Sequence, residues 1–174
     1  MLEKFIPDMY KKSIYDIDYE SLKKKGIKCI LFDLDNTIAP INMQVPDKDM
    51  KDFFADIELL GIKIIILSNA TKARVEPFKE KLNVDSSFHS KKPFKTKYKK
   101  ILSMYSFRDN EIACVGDQLL TDVYGANRMG FFSILVHPLS NIDLFGTRMN
   151  RIFERKIFKK LEKQGLFKVG EYYE

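Results

Sequence analysis

The sequence predicts an α/β fold in which a parallel sheet carries helices on both faces. Short apolar runs such as 29–32 and 62–67 recur along the chain, separated by segments whose apolar residues have helical spacing. Unbroken apolar runs of about four to eight residues are typical of strands buried on both faces, as in parallel sheets. Strands that alternate with helices through short connections favour a sheet with helices on both sides.

The predicted elements follow one another without internal repeats or low-complexity segments. The strands are expected at 29–32, 62–67, 85–88, 111–115 and 131–136, and the helices at 18–26, 47–60, 71–82, 96–105, 118–129 and 147–163. Asp18 caps the first helix and Gly26 ends it. Residues 1–19 mix proline, aspartate and aromatic residues without clean periodicity, and we interpret them as an N-terminal arm that packs on the domain by its rings.

Length and composition indicate a single globular domain over residues 1–174. Of the 174 residues, 45% are hydrophobic and 31% are charged, which is ordinary for a soluble protein with a real core. No apolar run approaches the ~20 residues of a membrane-spanning helix, and the N-terminus has no apolar signal region. Cys29 and Cys114 lie in apolar runs without CxxC spacing, which indicates inert buried thiols in a reducing compartment. We therefore expect a cytoplasmic protein.

The net charge of +6 comes from one part of the chain. Between Arg148 and Lys168 there are eight Lys or Arg and two Glu, so the rest balances at 22 basic and 22 acidic residues. A second basic stretch, 91–100, has six Lys and no acid. Phe94 and Tyr98 within it have helical spacing, which favours packing over base stacking. With no zinc-ligand spacing and no Gly-rich phosphate loop, we expect no nucleic-acid partner.

Polar residues cluster where the predicted strands end. Asp33, Ser68 and Asp117 each follow a predicted strand. The carboxyl ends of parallel strands meet at one edge of the sheet, where α/β proteins place their chemistry. A partly buried carboxylate such as Asp33 is costly unless a cation or hydrogen bonds compensate it. The groups expected at this edge are Asp33, Asp35, Thr37, Ser68, Asn69, Lys92, Asp117 and Asp122.

The chemistry of these groups favours a magnesium-dependent reaction on phosphate. Several converging carboxylates would repel one another unless a hard cation with oxygen ligands compensates them, and Mg²⁺ is the usual cation beside phosphate. The donors suited to phosphate oxygens are Thr37, Ser68, Asn69 and Lys92. A carboxylate nucleophile, a cation and phosphate-binding donors together predict phosphoryl transfer through an aspartyl-phosphate.

The order of these residues resembles the haloacid dehalogenase (HAD) superfamily of phosphatases. Residues 33–37, DLDNT, match its first motif, DxDxT; Ser68 matches the second, Lys92 the third, and residues 116–122, GDQLLTD, match the fourth, GDxxxxD. The match spans about 27–136. The resemblance implies a Rossmann-like HAD core over those residues, flanked by the N-terminal arm and by a basic C-terminal helix at about 147–164.

The resemblance also implies roles for these residues. Asp33 would be the nucleophile and Asp35 the general acid and base. The Mg²⁺ site would comprise Asp33, the backbone carbonyl of Asp35, Asp117 and, in support, Asp122. Ser68 and Lys92 would bind the phosphoryl group, with Lys91 as the alternative lysine. An acid at position 35 is typical of the phosphatases of the superfamily, since dehalogenases and phosphonatases lack it.

Spacing indicates that the site has no cap domain. In this superfamily, caps are inserted after the first motif or before the third. Asp35 and Ser68 are separated by 32 residues, and Ser68 and Lys92 by 23, which the predicted elements use up. Open sites of the superfamily tend to serve large or embedded substrates.

A closer resemblance is to the YqeG-like subgroup of subclass IIIA. It depends on Pro7-Asp8-Met9-Tyr10, on Gly26-Ile27-Lys28 before DLDNT, and on Lys92-Pro93. That subgroup is related to the phosphatidylglycerophosphate phosphatases, so the resemblance implies a membrane-presented substrate such as phosphatidylglycerophosphate. The alternatives are a phosphatase of a soluble sugar or nucleotide phosphate and a non-catalytic module that binds phosphate or a partner.

The basic C-terminal helix is expected to be amphipathic. Its apolar side would comprise Met149, Ile152, Phe153, Ile157 and Leu161, and its cationic side Arg148, Arg151, Arg155, Lys159 and Lys163. We expect the apolar side to pack on the sheet and the cationic side to remain exposed. A basic amphipathic helix suits an anionic membrane surface, so peripheral contact at the inner face of the membrane, with anionic phospholipid as partner, is a further expectation.

Overall fold

The computed structural model describes residues 2–143 and 145–174 and confirms the α/β fold. Its centre is a six-stranded sheet with the order β1-β6-β5-β2-β3-β4, in which every neighbouring pair is parallel. The strands are β1 (Met9–Lys11), β2 (Cys29–Phe32), β3 (Lys63–Leu67), β4 (Asp85–Ser87), β5 (Ile112–Gly116) and β6 (Phe132–Val136).

Six α-helices alternate with these strands in the described part of the chain. They are α1 (Tyr19–Lys24), α2 (Lys48–Leu59), α3 (Lys72–Leu82), α4 (Lys95–Tyr105), α5 (Tyr124–Asn127) and α6 (Phe145–Lys163). Asp18 and Asp47 cap α1 and α2 through side chains that accept from backbone N–H groups. Most boundaries lie within two residues of the predicted ones. The exception is 118–129, where a π-helical turn at Leu119–Val123 precedes the short α5.

The sheet is buried on both faces, as unbroken apolar strands predict. Ile30 and Phe32 point to the face covered by α2 and α3, and Cys29 and Leu31 point to the face covered by α4 and α5. Because side chains alternate along a strand, a four-residue strand with no polar residue contributes to both halves of the core.

The N-terminal segment joins the sheet. Within the predicted arm, Met9–Lys11 pairs with β6 as the edge strand β1, an element too short to be recognised from periodicity. The aromatic rings of the segment do pack on the rest of the molecule. Phe5 stacks on Tyr124 with ring centroids 4.7 Å apart, and Tyr10 lies 5.1 Å from Phe167.

The orientation of α6 differs from the predicted one. Of the predicted apolar side, Leu161 is buried and Ile157 packs in the same cluster, whereas Met149, Ile152 and Phe153 are about half exposed. The buried side therefore comprises Glu154 and only the C-terminal part of the predicted apolar side. Glu154 is satisfied there because its carboxylate accepts a hydrogen bond from the N–H of Leu120 at 2.9 Å. Among the described residues, neither this longest helix nor any other has the apolar stretch that crossing a bilayer requires.

Candidate active site

The carboxyl ends of β2, β3 and β5 meet at one edge of the sheet and bring together the predicted site residues. Asp33, Ser68 and Asp117 directly follow these strands and are buried. Asp33 and Ser68 line a cavity of about 400 Å³. Its lining includes Asp33, Asp35, Asn36, Ser68, Asn69, Lys92, Gln118, Thr121, Asp143, Gly146, Thr147 and Asn150.

Lys92 is the lysine that faces the acids. Its Nζ lies 2.6 Å from Asp33 Oδ1 and 2.6 Å from Asp122 Oδ1, whereas Lys91 is exposed. Asn69 fixes this loop: its Oδ1 accepts from the Lys92 N–H at 2.7 Å, and its Nδ2 donates to the Lys92 carbonyl at 3.2 Å. The amide of Asn69 holds the Lys92 backbone and also lines the cavity, so its phosphate-binding role stays a prediction.

Asp33, Asp117 and Asp122 form a compact buried cluster. One carboxylate oxygen from each lies within 4.8 Å of the others. Burial raises the pKa of Asp33 to about 7, although Lys92 opposes the shift. Burial likewise raises the pKa of Asp117 to about 8, against the opposing charge of Arg151. Burial alone would lower the pKa of Lys92, but Asp122 and Asp33 outweigh it and raise that pKa above its usual value.

The position of Asp122 depends on a glycine. A Cβ atom at Gly116 would lie 2.2 Å from Asp122 Cγ, so a side chain there would displace the carboxylate. The N–H of Gln118 donates to Asp122 Oδ2 at 3.1 Å and holds it against the glycine. The fourth motif therefore needs Gly116 for close approach.

Asp117 is held from two sides. The hydroxyl of Thr37 donates to Asp117 Oδ1 at 3.2 Å, and the guanidinium of Arg151 forms an ion pair with Oδ2. Arg151 Nη1 also donates to the Asp117 carbonyl at 2.8 Å. The Thr37 hydroxyl thus contacts an acid of the cluster, and its phosphate-binding role stays a prediction.

Sequence reasoning missed the function of Arg151, which it placed on the exposed cationic side of the last helix. Besides Asp117, Arg151 pairs with Glu154 at 3.1 Å and with Asp143 at 3.5 Å. Among the residues predicted for the cationic side, Arg151 is the one whose side chain contacts Asp117. No local pattern indicates this contact, because Asp117 and Arg151 are 34 positions apart.

Arg74 is a second residue that sequence reasoning missed. Its Nε lies 2.9 Å from Asp35 Oδ1, and its Nη2 donates to the Pro40 carbonyl at 3.3 Å. Arg74 belongs to α3, so this helix orients the Asp35 carboxylate and the loop that follows it. The side chain of Asp35 lies outside the three-carboxylate cluster; the sequence assigned its backbone carbonyl to the metal.

The charge balance of the site fits a divalent cation. The ion pairs around the cluster join five carboxylates, those of Asp33, Asp117, Asp122, Asp143 and Glu154, to two cations, Lys92 and Arg151. Oxygen donors with an excess of negative charge are the ligands that Mg²⁺ prefers. Burial is the main cause of the raised pKa values of Asp33 and Asp117, and the neighbouring carboxylates raise them further.

In the part of the chain that the structure describes, no domain covers the cavity. One wall is formed by the loop after β6 and by the start of α6, represented by Asp143, Gly146 and Asn150. Asn36 anchors this loop: it accepts from the Ser140 hydroxyl at 2.7 Å and donates to the Ile142 carbonyl at 2.9 Å. The predicted absence of a cap is therefore confirmed.

Comparison with known proteins places this geometry among phosphatases. Residues 2–139 match the family described as "Mitochondrial PGP phosphatase". The chain is 36% identical to "Probable phosphatase YqeG" of Bacillus subtilis, over 95% of this chain and 96% of that protein. It is 27% identical to "Phosphatidylglycerophosphate phosphatase 1, chloroplastic/mitochondrial" of Arabidopsis thaliana, over 92% of this chain and 49% of the plant protein.

A solved structure supports the fold. The structure described as a HAD superfamily (subfamily III A) hydrolase from Legionella pneumophila superposes with a TM-score of 0.50 at 19% identity. The superposition covers 68% of this chain and 70% of that one.

Proposed function

Because this chain belongs to the PGP phosphatase family and is a HAD-type phosphatase, we propose that it hydrolyses the phosphomonoester of phosphatidylglycerophosphate through an aspartyl-phosphate on Asp33. The observation that carries the mechanism is the position of Asp33. Its carboxylate lines the cavity, forms an ion pair with Lys92, and lies next to the carboxylates of Asp117 and Asp122. This arrangement joins a nucleophile, a fixed cation and a set of oxygen ligands.

The proposed reaction has two steps. An Asp33 oxygen attacks phosphorus, and the bond between phosphorus and the glycerol oxygen breaks. Asp35 enters this step protonated on Oδ2, the oxygen that Arg74 does not hold, and gives that proton to the leaving oxygen. Water then attacks the phosphorus of the aspartyl-phosphate, Asp35 takes the proton, and inorganic phosphate leaves Asp33 free.

The other residues bind and orient the phosphoryl group. Lys92 and Ser68 face the cavity and supply donors for phosphoryl oxygens. Asp33, Asp117 and Asp122, with the backbone carbonyl of Asp35, would hold Mg²⁺. When bound, Mg²⁺ neutralises charge that develops on the phosphoryl oxygens. Arg74 keeps Asp35 at the cavity by its ion pair.

Two observations support a lipid substrate. No domain among the described residues covers the cavity, so the head of a lipid can reach it without leaving the membrane. The plant relative is named for phosphatidylglycerophosphate. A lipid substrate requires contact with a membrane, and we place this contact at the inner face, through the C-terminal helix.

The test is phosphate release from a substrate panel. The panel comprises phosphatidylglycerophosphate in detergent micelles, glycerol 3-phosphate, a sugar phosphate, a nucleotide and a generic aryl phosphate, each with Mg²⁺ or with excess chelator. We expect the lipid to have the highest kcat/KM and the chelator to stop release. A higher kcat/KM on a sugar phosphate or a nucleotide would instead establish a soluble substrate.

Two variants test the proposed residue roles. Asp33→Asn should abolish phosphoenzyme formation, and Asp35→Asn should still bind metal but turn over about 10²–10⁴-fold more slowly. If Asp33→Asn forms acid-stable phosphoprotein as well as the wild type, Asp33 is not the nucleophile.

A further inference from the structure

The outward side of α6 carries exposed apolar residues beside the site. Met149, Ile152 and Phe153 are 45%, 47% and 53% exposed, and Ile142 in the preceding loop is 56% exposed. We call these four residues the apolar strip. Helical geometry, with about 100° per residue, puts Met149 and Ile152 about 140–160° away from the buried Glu154, and Phe153 about 100° away from it.

The same side of α6 is cationic. Lys156, Lys159, Lys160 and Lys163, which we call the lysine row, are exposed and continue the apolar strip toward the end of the helix. Of the two acids of the helix, Glu154 is buried, and Glu162 lies one turn after Lys159, at the edge of the lysine row. Apolar residues beside a surplus of lysines on one exposed surface suit contact with an anionic membrane.

This surface is continuous with the wall of the catalytic cavity. Asp143, Gly146 and Asn150 of the same segment line the cavity, and Arg151 reaches Asp117. The apolar strip therefore lies on the segment that forms this wall of the cavity. A bilayer that contacted the strip would lie beside the cavity.

We propose that the apolar strip and the lysine row together form the surface with which this protein lies on an anionic phospholipid bilayer. The apolar strip enters the headgroup region, and the lysine row contacts lipid phosphates. The proposal rests on the proposed function, because a lipid substrate gives the contact its purpose. It replaces the predicted mode of contact, in which the apolar side packed on the sheet and only the cationic side met the membrane.

Charge favours a bilayer over a second copy of the chain. A symmetric dimer pairs the same surface on both copies. Such an interface would bring together the four lysines of each copy, with one acid, Glu162, at the edge of each row. An anionic bilayer supplies the compensating charge, at about 1 kcal/mol for each Lys or Arg near its surface.

A single introduced tryptophan tests the contact directly, because the chain has no Trp. Phe153→Trp reports on the apolar strip, and Met104→Trp, at a residue of α4 that is 61% exposed, is the matched control. Both are made in an Asp33→Asn background, and their fluorescence is measured with vesicles of phosphatidylcholine, with and without 30% phosphatidylglycerol. We expect a blue shift for Phe153→Trp with anionic vesicles, reversed by salt, and none for Met104→Trp.

Vesicle co-sedimentation then separates the apolar and cationic contributions. Met149→Ser/Ile152→Ser/Phe153→Ser and Lys156→Gln/Lys159→Gln/Lys160→Gln should each lower partitioning at least about tenfold. The matched control is Lys81→Gln/Lys99→Gln/Lys100→Gln, which removes the same charge from α3 and α4 and should lower it less than threefold. Circular dichroism and thermal unfolding confirm that each variant is folded.

The outcomes distinguish this proposal from the proposed function. If no vesicle binding occurs at low salt, or if the control variant loses as much as the test variants, the docking surface is wrong. Phosphatidylglycerophosphate hydrolysis in detergent would then still establish the function. If vesicles bind through α6 but the lipid is not hydrolysed, the docking surface stands and the substrate is wrong. A dimer that Met149→Ser/Ile152→Ser/Phe153→Ser dissociates, without vesicle binding, assigns the surface to a second copy.

Discussion

Arg151 donates hydrogen bonds to both the backbone carbonyl and the carboxylate of Asp117, so the last helix is joined directly to the acid cluster. The same guanidinium pairs with Glu154. Burial alone would lower the pKa of Arg151, but Asp117 and Glu154 outweigh it and raise that pKa above its usual value. Arg151 therefore stays charged and supplies the cation that Asp117 requires when buried.

Removing this cation should destabilise the protein. Arg151→Met leaves Asp117 and Glu154 without their buried partner, and we expect the free energy of unfolding to fall by about 3 kcal/mol. Arg155→Met on the same helix is the matched control, and because Arg155 is exposed its loss should stay within about 0.5 kcal/mol. Chemical denaturation with chelator present measures both. Equal losses would show that Arg151 does not compensate Asp117.

The same substitution at Lys92 and at its exposed neighbour Lys91 tests which lysine serves the site. Lys92→Met removes the donor at 2.6 Å from Asp33, and we expect kcat on an aryl phosphate to fall at least about 10²-fold. Lys91→Met changes an exposed neighbour and should keep kcat within about twofold. Steady-state kinetics at saturating Mg²⁺ provide the comparison. A larger loss of kcat for Lys91→Met would show that Lys91, and not Lys92, is the lysine of the third motif.

The close approach of Gly116 and Asp122 predicts a third effect. Gly116→Ala would place its Cβ 2.2 Å from Asp122 Cγ, so the carboxylate has to move. We expect a loss of about 1–3 kcal/mol in the free energy of unfolding, together with weaker Mg²⁺ binding. Gly146→Ala is the control, since a Cβ there meets nothing within 4 Å. Mg²⁺ titration calorimetry that gives the same affinity for Gly116→Ala and wild type would refute this dependence.

The raised pKa values predict how metal-free stability depends on pH. Burial raises the pKa of Asp33 to about 7 and that of Asp117 to about 8, so the folded state binds these protons more tightly than the unfolded state. Stability from these groups is present below their unfolded pKa of about 4 and is lost as pH rises through about 8. Bound Mg²⁺ replaces the protons and should reduce this loss.

Thermal unfolding between pH 5 and pH 9 measures this dependence, with chelator and with Mg²⁺. Asp33→Asn/Asp117→Asn is the control, because its amides do not titrate. With chelator, the wild type should lose stability relative to this variant as pH rises. If the unfolding temperatures of the wild type and this variant change with pH in parallel over the whole range, the raised pKa values are contradicted.

Local patterns in the sequence were sufficient to predict the central strands and the polar site residues that follow them. The apolar runs before Asp33, Ser68 and Asp117 identify buried parallel strands, and parallel strands bring their carboxyl ends to one edge. The lysine before Pro93 also lies where its motif predicts. These features depend on neighbours within a few residues, which is the range over which a sequence pattern carries information.

The contacts that join distant elements could not be predicted in this way. Arg74 meets Asp35 across 39 positions and Arg151 meets Asp117 across 34, and neither pair belongs to a local pattern. The orientation of α6 was predicted only in part for the same reason. Ile157 and Leu161 pack as predicted, but the ion pair between Arg151 and Asp117 and the burial of Glu154 accompany a helix whose Met149, Ile152 and Phe153 are exposed.

The most direct test of the central claim is phosphate release from phosphatidylglycerophosphate in detergent micelles, with Mg²⁺, by wild type and by Asp33→Asn. We predict that the wild type yields phosphatidylglycerol and inorganic phosphate in equal amounts. Asp33→Asn should be at least about 10³-fold slower while unfolding at a similar temperature, since the nucleophile is lost and the fold is kept. No release by the wild type, or undiminished release by Asp33→Asn, would contradict the account.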